Sequence, residues 1–199
     1  MQFNPIHMQR CLAKVAEIVE QYRLTHIAAD DPCRSVGNLR HTVETYLQVG
    51  VNLIQLPLQR ANSVVLGMFI MKSDRTFDIC FVADLTPEWK RFVICKELFH
   101  ILIDQEQYRD MDIAAHVDAL TVAFPQDDSR PRPSVVAEFL AEVAAMEFLF
   151  PRDRRLQELA NTRSVTDIGQ RYDVPLLFVE RYLSTPFIEN LDPDRINAV

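Results

Sequence analysis

Apolar residues recur with helical spacing at the beginning of the chain. Between residues 7 and 28 they fall on one side of a helix: Leu12, Val15, Ile18, Val19 and Tyr22. Because residues about 3.6 positions apart share a helix face, this pattern predicts an amphipathic helix. The stretch "DDPCRSVGN" (30–38) indicates a loop, and a second helix is predicted from about 39 to 47.

The apolar period then changes to that of a β-strand. Three short, β-branched and partly alternating stretches follow: "VNLIQLPLQ" (51–59), "SVVLGMFIMKS" (63–73) and "TFDICFVADL" (76–85). Turn-forming residues separate them at 60–62 and 73–75. The pattern predicts three strands of a small antiparallel sheet.

Helical patterns return after the predicted sheet. Thr86, Pro87 and Glu88 form a good helix start, because a hydroxyl cap, an early proline and an acid all suit the first turn. This helix should end near Ile103. Ser134 can cap a later helix, "VVAEFLAEVAAMEFLF", which Pro151 ends. Further helices are predicted over about 110–122, 152–161, 165–172 and 175–184, followed by a loose tail.

These elements predict an α+β fold in which helices pack on a small three-stranded antiparallel sheet. We expect two units: residues 1–151 around the sheet, and a helical region, residues 152–199, packed on them. With 199 residues, of which 48% are apolar and 25% charged, the chain can bury a sizeable core.

Charge and cysteine usage narrow the function classes. The net charge of -7 does not favour a general nucleic-acid binder, and seven acids against Arg109 alone concentrate in residues 104–129. No apolar run is long enough to cross a bilayer. The four cysteines lie far apart without a CxxC pair, which is typical of reduced, mostly buried thiols and predicts a cytoplasmic protein.

The helix "FVICKELFHILID" places two polar side chains among apolar ones. Lys96 and His100 lie one turn apart on a helix that is apolar almost all round. An unpaired ammonium there would be costly, so a carboxylate should lie nearby. The later helix offers Glu138 and Glu142 on a stripe with small alanines, which let another backbone approach closely; for Glu142, a solvated surface position is the alternative.

Two stretches resemble the ImmA/IrrE family of zinc metallopeptidase-like proteins. "KRFVICKELFHILID" is similar to that family's HExxH helix, which follows a small sheet and a basic-aromatic pair. "EFLAEVAAMEFLFP" (138–151) is similar to its later pattern E-x-x-A-x-x-F-A-x-x-L-L-x-P. The resemblance covers roughly residues 40–185, with the specific part confined to two helices.

The resemblance implies a set of site residues. In the family, two histidines and a third ligand hold zinc, and the glutamate between the histidines deprotonates the bound water. His100 matches the second histidine, Glu138 the third ligand and Glu97 the general base. Lys96 stands in the place of the first histidine, so "KELFH" (96–100) is a degenerate form of the motif.

The lysine changes the chemistry that the resemblance implies. A protonated lysine has no lone pair to give to zinc, and its charge repels the cation. Either His41 or His116 substitutes as a ligand, or the Lys96 ammonium replaces the ion, bonded to Glu138 and Glu97 with His100 alongside. The cofactor is accordingly either none or zinc.

Near the end of the sequence, apolar residues have the spacing of a helix-turn-helix. "SVTDIGQRYDVPLLFVERYL" places apolar or small residues at core-like positions, but Leu176, Leu177 and Phe178 stand where base-reading polar groups are expected. Residues 152–199 carry seven arginines against eight acids, so no basic footprint supports DNA binding. We expect a packing or protein-binding role.

Three functions therefore stand side by side. The first is a regulatory protein with weak or lost peptidase activity that binds a protein partner, such as a transcriptional repressor in a stress or mobile-element switch. The second is an active zinc-dependent endopeptidase that cleaves a regulatory protein. The third is a helix-turn-helix transcription regulator. Lys96 and the acidic composition favour the first, a pseudoenzyme, and the family resemblance implies a phage-related, regulatory setting for it.

Overall fold

Helices pack against one small sheet in the described part of the chain. The structure, a computed structural model, describes residues 5–26, 31–57, 66–72, 74–103 and 133–192. Within these ranges the elements are α1 (Pro5–Thr25), α2 (Val36–Leu47), β1 (Gly50–Leu56), β2 (Gly67–Met71), β3 (Thr76–Val82), α3 (Pro87–Ile103), α4 (Pro133–Leu149), α5 (Arg152–Ala160), α6 (Val165–Tyr172), α7 (Leu176–Leu183) and α8 (Thr185–Asn190). The α+β class is confirmed. The helix predicted over 110–122 and the acidic segment 104–129 lie outside the described residues.

Helix boundaries differ from the prediction where caps decide them. α2 begins at Val36 instead of residue 39, because Ser35 is its N-cap and its Oγ accepts the Asn38 N–H at 3.2 Å. α4 begins at Pro133, so Ser134 lies inside the helix and not at its cap. The tail also contains α8, where the sequence predicted no element.

The sheet is mixed, and the prediction of a purely antiparallel sheet is wrong. The strand order is β1-β3-β2, with β2 antiparallel to β3 and β1 parallel to β3. β2 and β3 form a hairpin, and Arg75 adopts a left-handed conformation (φ 62°) in its turn. Strand periodicity reports which side chains are buried but not the direction of a strand, so β1 could not be oriented from its pattern.

The core lies between the sheet and two nearly wholly buried helices. On α3, Cys95, Leu98 and Phe99 have no exposed surface, and on α4 the same holds for Ala141 and for residues 143–146. Small side chains on α4 allow close approach, and the Cys95 Sγ lies 4.0 Å from the Ala145 carbonyl. This contact fixes α3 against α4 and so places their polar residues. Within the described ranges, no helix has the length and apolar character to cross a membrane.

The C-terminal helices pack directly on α3. Phe92 stacks on Phe178 with ring centroids 4.0 Å apart, and Trp89 contacts the same ring edge-on. Arg91 donates hydrogen bonds to the carbonyls of Tyr172 and Asp173, each at 2.7 Å. The packing of residues 152–192 on the rest is therefore built around the first turns of the motif helix; the division at residue 151 stays a prediction.

Candidate functional site

Lys96 and Glu138 form the centre of the candidate site. The Lys96 Nζ lies 2.5 Å from the Glu138 Oε2 and 3.4 Å from the Glu97 Oε1. The two side chains are only 17% and 22% exposed. The ammonium on α3 thus joins an acid of its own helix to an acid of α4, as the apolar surroundings of Lys96 required.

His100 completes the cluster one turn further along α3. It is 4% exposed, and its Nε2 lies 3.3 Å from the Glu138 Oε1. Glu97 is 2% exposed. Within the described ranges, no atom meets hydrogen-bond geometry with the His100 Nε2 or with the Glu97 Oε1, although both are buried. All four residues singled out from the sequence therefore converge, while their roles stay a prediction.

Lys96 and Glu138 each stabilise the ionised form of the other. Burial alone would lower the pKa of Lys96, but the carboxylates of Glu97 and Glu138 outweigh it, and the pKa is raised above its usual value. Burial alone would raise the pKa of Glu138, but the Lys96 charge and the His100 contact outweigh it, and the pKa is lowered. Lys96 is thus an ammonium at neutral pH.

The cluster does not fit a zinc ion. A catalytic zinc site takes three protein ligands with free lone pairs, and Lys96, the residue in the first ligand position, has none while protonated. The Lys96 Nζ also forms an ion pair with the Glu138 Oε2, an oxygen of the carboxylate that would serve as the third zinc ligand. Within the described residues, no group of three or more His, Cys, Asp or Glu side chains is arranged to hold a metal ion.

Other candidates from the sequence do not join the cluster. His41 lies on α2, 69% exposed, with its Nδ1 4.0 Å from the Glu44 Oε2. Glu142 accepts hydrogen bonds from the Arg181 Nη1 at 2.9 Å and the Tyr182 hydroxyl at 3.1 Å. Glu142 is therefore neither a site residue nor a freely solvated acid, because it ties α4 to α7. His116 lies outside the described residues.

Two residues of β2 border the site and were missed in the sequence. The Phe69 ring stacks on the His100 imidazole, with centroids 5.9 Å apart and planes inclined by 28°. At Gly67, a Cβ atom would lie 2.3 Å from the Val93 Cγ1 and 3.6 Å from the Glu97 Oε1. The glycine inside the apolar run "VLGMFI" was the available signal, because a glycine within a strand often marks close backbone approach.

Comparison with known proteins identifies the family of the chain. The sequence profile of the IrrE N-terminal-like domain, a peptidase family, matches residues 48–184, which include the sheet, α3, α4 and the helices through α7. No curated protein matches the chain. The profile covers more than half of the sequence, and the chain therefore belongs to the IrrE N-terminal-like peptidase family.

Proposed function

We propose that this chain is a regulatory protein with a metallopeptidase fold in which the Lys96 ammonium takes the place of the zinc ion. In this proposal it binds a protein partner, and peptide cleavage is weak or lost. One observation carries the proposal: the Lys96 Nζ lies within ion-pair distance of both Glu138 and Glu97.

The substitution keeps the fold but removes the means of activating water. In the zinc site that the family resemblance implies, a divalent cation lowers the pKa of its bound water to about 7. An ammonium has no empty orbital to accept a water lone pair and can only donate hydrogen bonds. Lys96 can therefore offset the two buried acids electrostatically, whereas Glu97 is left without an activated water to deprotonate.

The nature of the partner follows from the family and from the chain's own charge. The resemblance to ImmA/IrrE proteins implies a regulatory protein, and a transcriptional repressor is the partner class we propose. The net charge of -7 gives the chain no general attraction to nucleic acid. Leu176 and Leu177 are exposed at the start of α7, and Phe178 is turned inward against Phe92, so this helix presents no polar residue for reading bases there.

Zinc content tests the proposal directly. The full chain is purified without added zinc or chelator, and its metal content is measured by mass spectrometry. We expect substoichiometric zinc and no cleavage of denatured casein above that of a Glu97→Gln control. Stoichiometric zinc, or cleavage that depends on Glu97, would support the active endopeptidase instead.

A gain-of-binding variant tests the assignment of the individual residues. Lys96→His restores the first ligand position, so we expect about one zinc per chain in equilibrium dialysis. The matched control is Lys96→His combined with Glu138→Gln, which should lose most of that affinity. If Lys96→His takes up no zinc while remaining folded, Glu138 and His100 are not positioned as ligands and the proposal loses its basis.

A further inference from the structure

The outer edge of β1 carries backbone groups that the sheet leaves unused. The Gly50 N–H donates to the Arg75 carbonyl at 3.2 Å, and the Leu56 carbonyl accepts from the Ala83 N–H at 2.9 Å. Even-numbered residues of β1 therefore direct their N–H and C=O groups toward β3, since these groups alternate along a strand. Val51, Leu53 and Gln55 direct theirs away from the sheet.

One of these outward groups is already occupied. The Glu44 Oε1 accepts a hydrogen bond from the Val51 N–H at 3.0 Å, so this N–H cannot pair with a further strand. Among the residues that the structure describes, none bonds the outward backbone groups of Leu53 and Gln55, which a further strand could therefore pair with. β1 contains no charged residue or proline, and Leu53 and Ile54 are 39% and 36% exposed. Exposed strand edges are usually protected by charges, prolines or bulges, so an unprotected apolar edge indicates an interface.

A cavity lies beside this edge on the helical side of the sheet. Its volume is about 270 Å³, and it lies between the side chains of Val36, Leu53, Pro87 and Ile94. Pockets for small molecules usually enclose about 300–1,000 Å³, so this cavity suits a large apolar side chain better than a free ligand. A strand paired with β1 would carry such a side chain directly above it.

Lys90 gives the cavity a positive rim. Its Nζ lies 4.8 Å from the centre of the Phe81 ring, and no carboxylate of the described ranges forms an ion pair with it. Arg91 also borders the cavity, but it donates to the carbonyls of Tyr172, Asp173 and Arg34. The charge available to an incoming strand is therefore that of Lys90, which favours an acidic residue.

We propose that the outer edge of β1 binds an extended segment of a protein partner as a fourth strand, with an apolar side chain in the cavity and an acid paired with Lys90. A second copy of this chain fits less well. β1 has no acid to offer Lys90, and a two-fold pairing centred on Leu53 would set Gln55 against the Val51 N–H that Glu44 holds. Two chains of charge -7 also repel each other.

This inference goes beyond the proposed function, because the surface is on the opposite edge of the sheet from β2, which borders the Lys96 cluster. Either proposal can fail without the other. Recognition by strand addition takes affinity from main-chain hydrogen bonds and specificity from side-chain pockets, and both parts are present here.

The test uses a displayed library of random nonapeptides selected on the intact chain. We expect enriched peptides that combine a large apolar residue with a nearby acid. Binding of the best peptide is then measured on Gln55→Pro and Gln55→Ala. Both variants lose the bond from the Gln55 Nε2 to the Ala83 carbonyl, and only proline also removes the outward N–H, leaving the backbone bonds to β3 in place. Gln55→Pro should therefore weaken binding about tenfold, whereas Gln55→Ala should bind like the wild type.

Lys90→Glu provides a second variant that does not alter the backbone. It should lose the acidic peptide and, in a new selection, enrich basic ones. The proposal is overturned if no peptide is enriched, if the enriched peptides bind Gln55→Pro as well as Gln55→Ala, or if Lys90→Glu leaves the charge preference unchanged. A dimer in light scattering that Gln55→Pro dissociates would make a second copy the occupant and would also overturn it.

Discussion

The Lys96 Nζ and the Glu138 Oε2 are 2.5 Å apart, in contact across the α3–α4 interface. Lys96 lies in the interior of α3, and Glu138 lies in the second turn of α4. Because both side chains are less than a quarter exposed, neither can reach full hydration without moving its helix. Each residue has a second contact in the cluster: Lys96 with Glu97 at 3.4 Å, and Glu138 with His100 at 3.3 Å.

Removing the Glu138 carboxylate should lower the free energy of unfolding more than removing the Lys96 ammonium. Glu138→Gln leaves the Lys96 ammonium buried with Glu97 at 3.4 Å as its remaining acid, and we expect a loss of about 1–3 kcal/mol in the free energy of unfolding. Lys96→Met removes the charge and keeps the apolar stem, so its loss should be smaller. Urea unfolding of both variants measures the difference. Equal losses would mean that the ammonium is effectively solvated in the native state.

Arg91 should be the main polar contact that fastens the C-terminal helices to α3. Its guanidinium donates to three carbonyls at 2.7 Å, and it is 11% exposed. Because a hydrogen bond that involves a charged group contributes about 1.5–3 kcal/mol net, and neighbouring bonds do not add fully, Arg91→Met should lower the free energy of unfolding by about 2–4 kcal/mol. Arg91→Lys should recover only part of this, since an ammonium lacks the planar fork.

Arg40→Met is the matched control for Arg91. The Arg40 side chain is 39% exposed, and its Nε lies 3.9 Å from the Glu44 Oε2. A surface pair of this kind contributes little, and the variant should stay within about 0.5 kcal/mol of the wild type. If Arg91→Met matches this control in chemical denaturation, aromatic packing of Phe92 on Phe178 is sufficient to hold the tail.

Thiol reactivity should separate one cysteine from the other three. All four cysteines are free; Cys11, Cys80 and Cys95 are buried, and Cys33 is exposed. Burial raises the pKa of the Cys11 thiol to about 12, and it raises the pKa of Cys95 as well, so neither supplies thiolate at neutral pH. Burial also raises the pKa of Cys33, but its sulfur is accessible to reagent.

Titration with Ellman's reagent checks this expectation. The native chain should show one rapidly reacting thiol, the Cys33→Ser variant none, and the denatured chain four. A second rapidly reacting thiol in the native protein would place Cys80 within reach of solvent on the outer face of the sheet. The structure buries three of the four cysteines, as the sequence interpretation expected, while their reduced state stays a prediction.

The meeting of Lys96 and His100 with Glu138 could be predicted from two arguments that need no knowledge of the strand order. Helical spacing puts Lys96 and His100 on one face, and an apolar helix cannot bury an ammonium without an acid. The alanines of α4 indicated which helix could come close. The first argument is local geometry and the second is a requirement for charge pairing, so both hold although Glu138 lies 42 residues from Lys96 in sequence.

The parts that failed concern the strand order and the choice among several possible partners of one side chain. β1 lies parallel to β3 because β2, which precedes β3 in sequence, occupies the far edge, and no periodicity in Gly50–Leu56 encodes that order. Likewise, Glu142 finds its partners on α7, 39 and 40 residues away in sequence. The position of Glu142 on the same face of α4 as Glu138 could not show whether it contacts α3 or α7, since both helices pack against α4.

Gly67 should be the glycine that this fold can least replace. A Cβ there would lie 2.3 Å from the Val93 Cγ1 and 3.3 Å from the Cys80 carbonyl, both on neighbouring elements that are packed in place. Gly67→Ala must therefore push β2 away from α3, which also carries Glu97 and His100. Overpacking of this kind costs about 1–3 kcal/mol, and we expect that loss in thermal or urea unfolding.

Gly50→Ala is the matched control, because it adds the same methyl group to another strand of the sheet. Its Cβ would lie 3.6 Å from the Thr76 side chain, an ordinary contact distance. We expect its free energy of unfolding to stay within about 0.5 kcal/mol of the wild type. The two alanine variants have the same intrinsic strand propensity, so their difference measures only the closeness of β2 to α3. If they unfold at the same urea concentration, β2 is not held against Val93, and the stacking of Phe69 on His100 cannot help to fix the orientation of the imidazole beside Glu138.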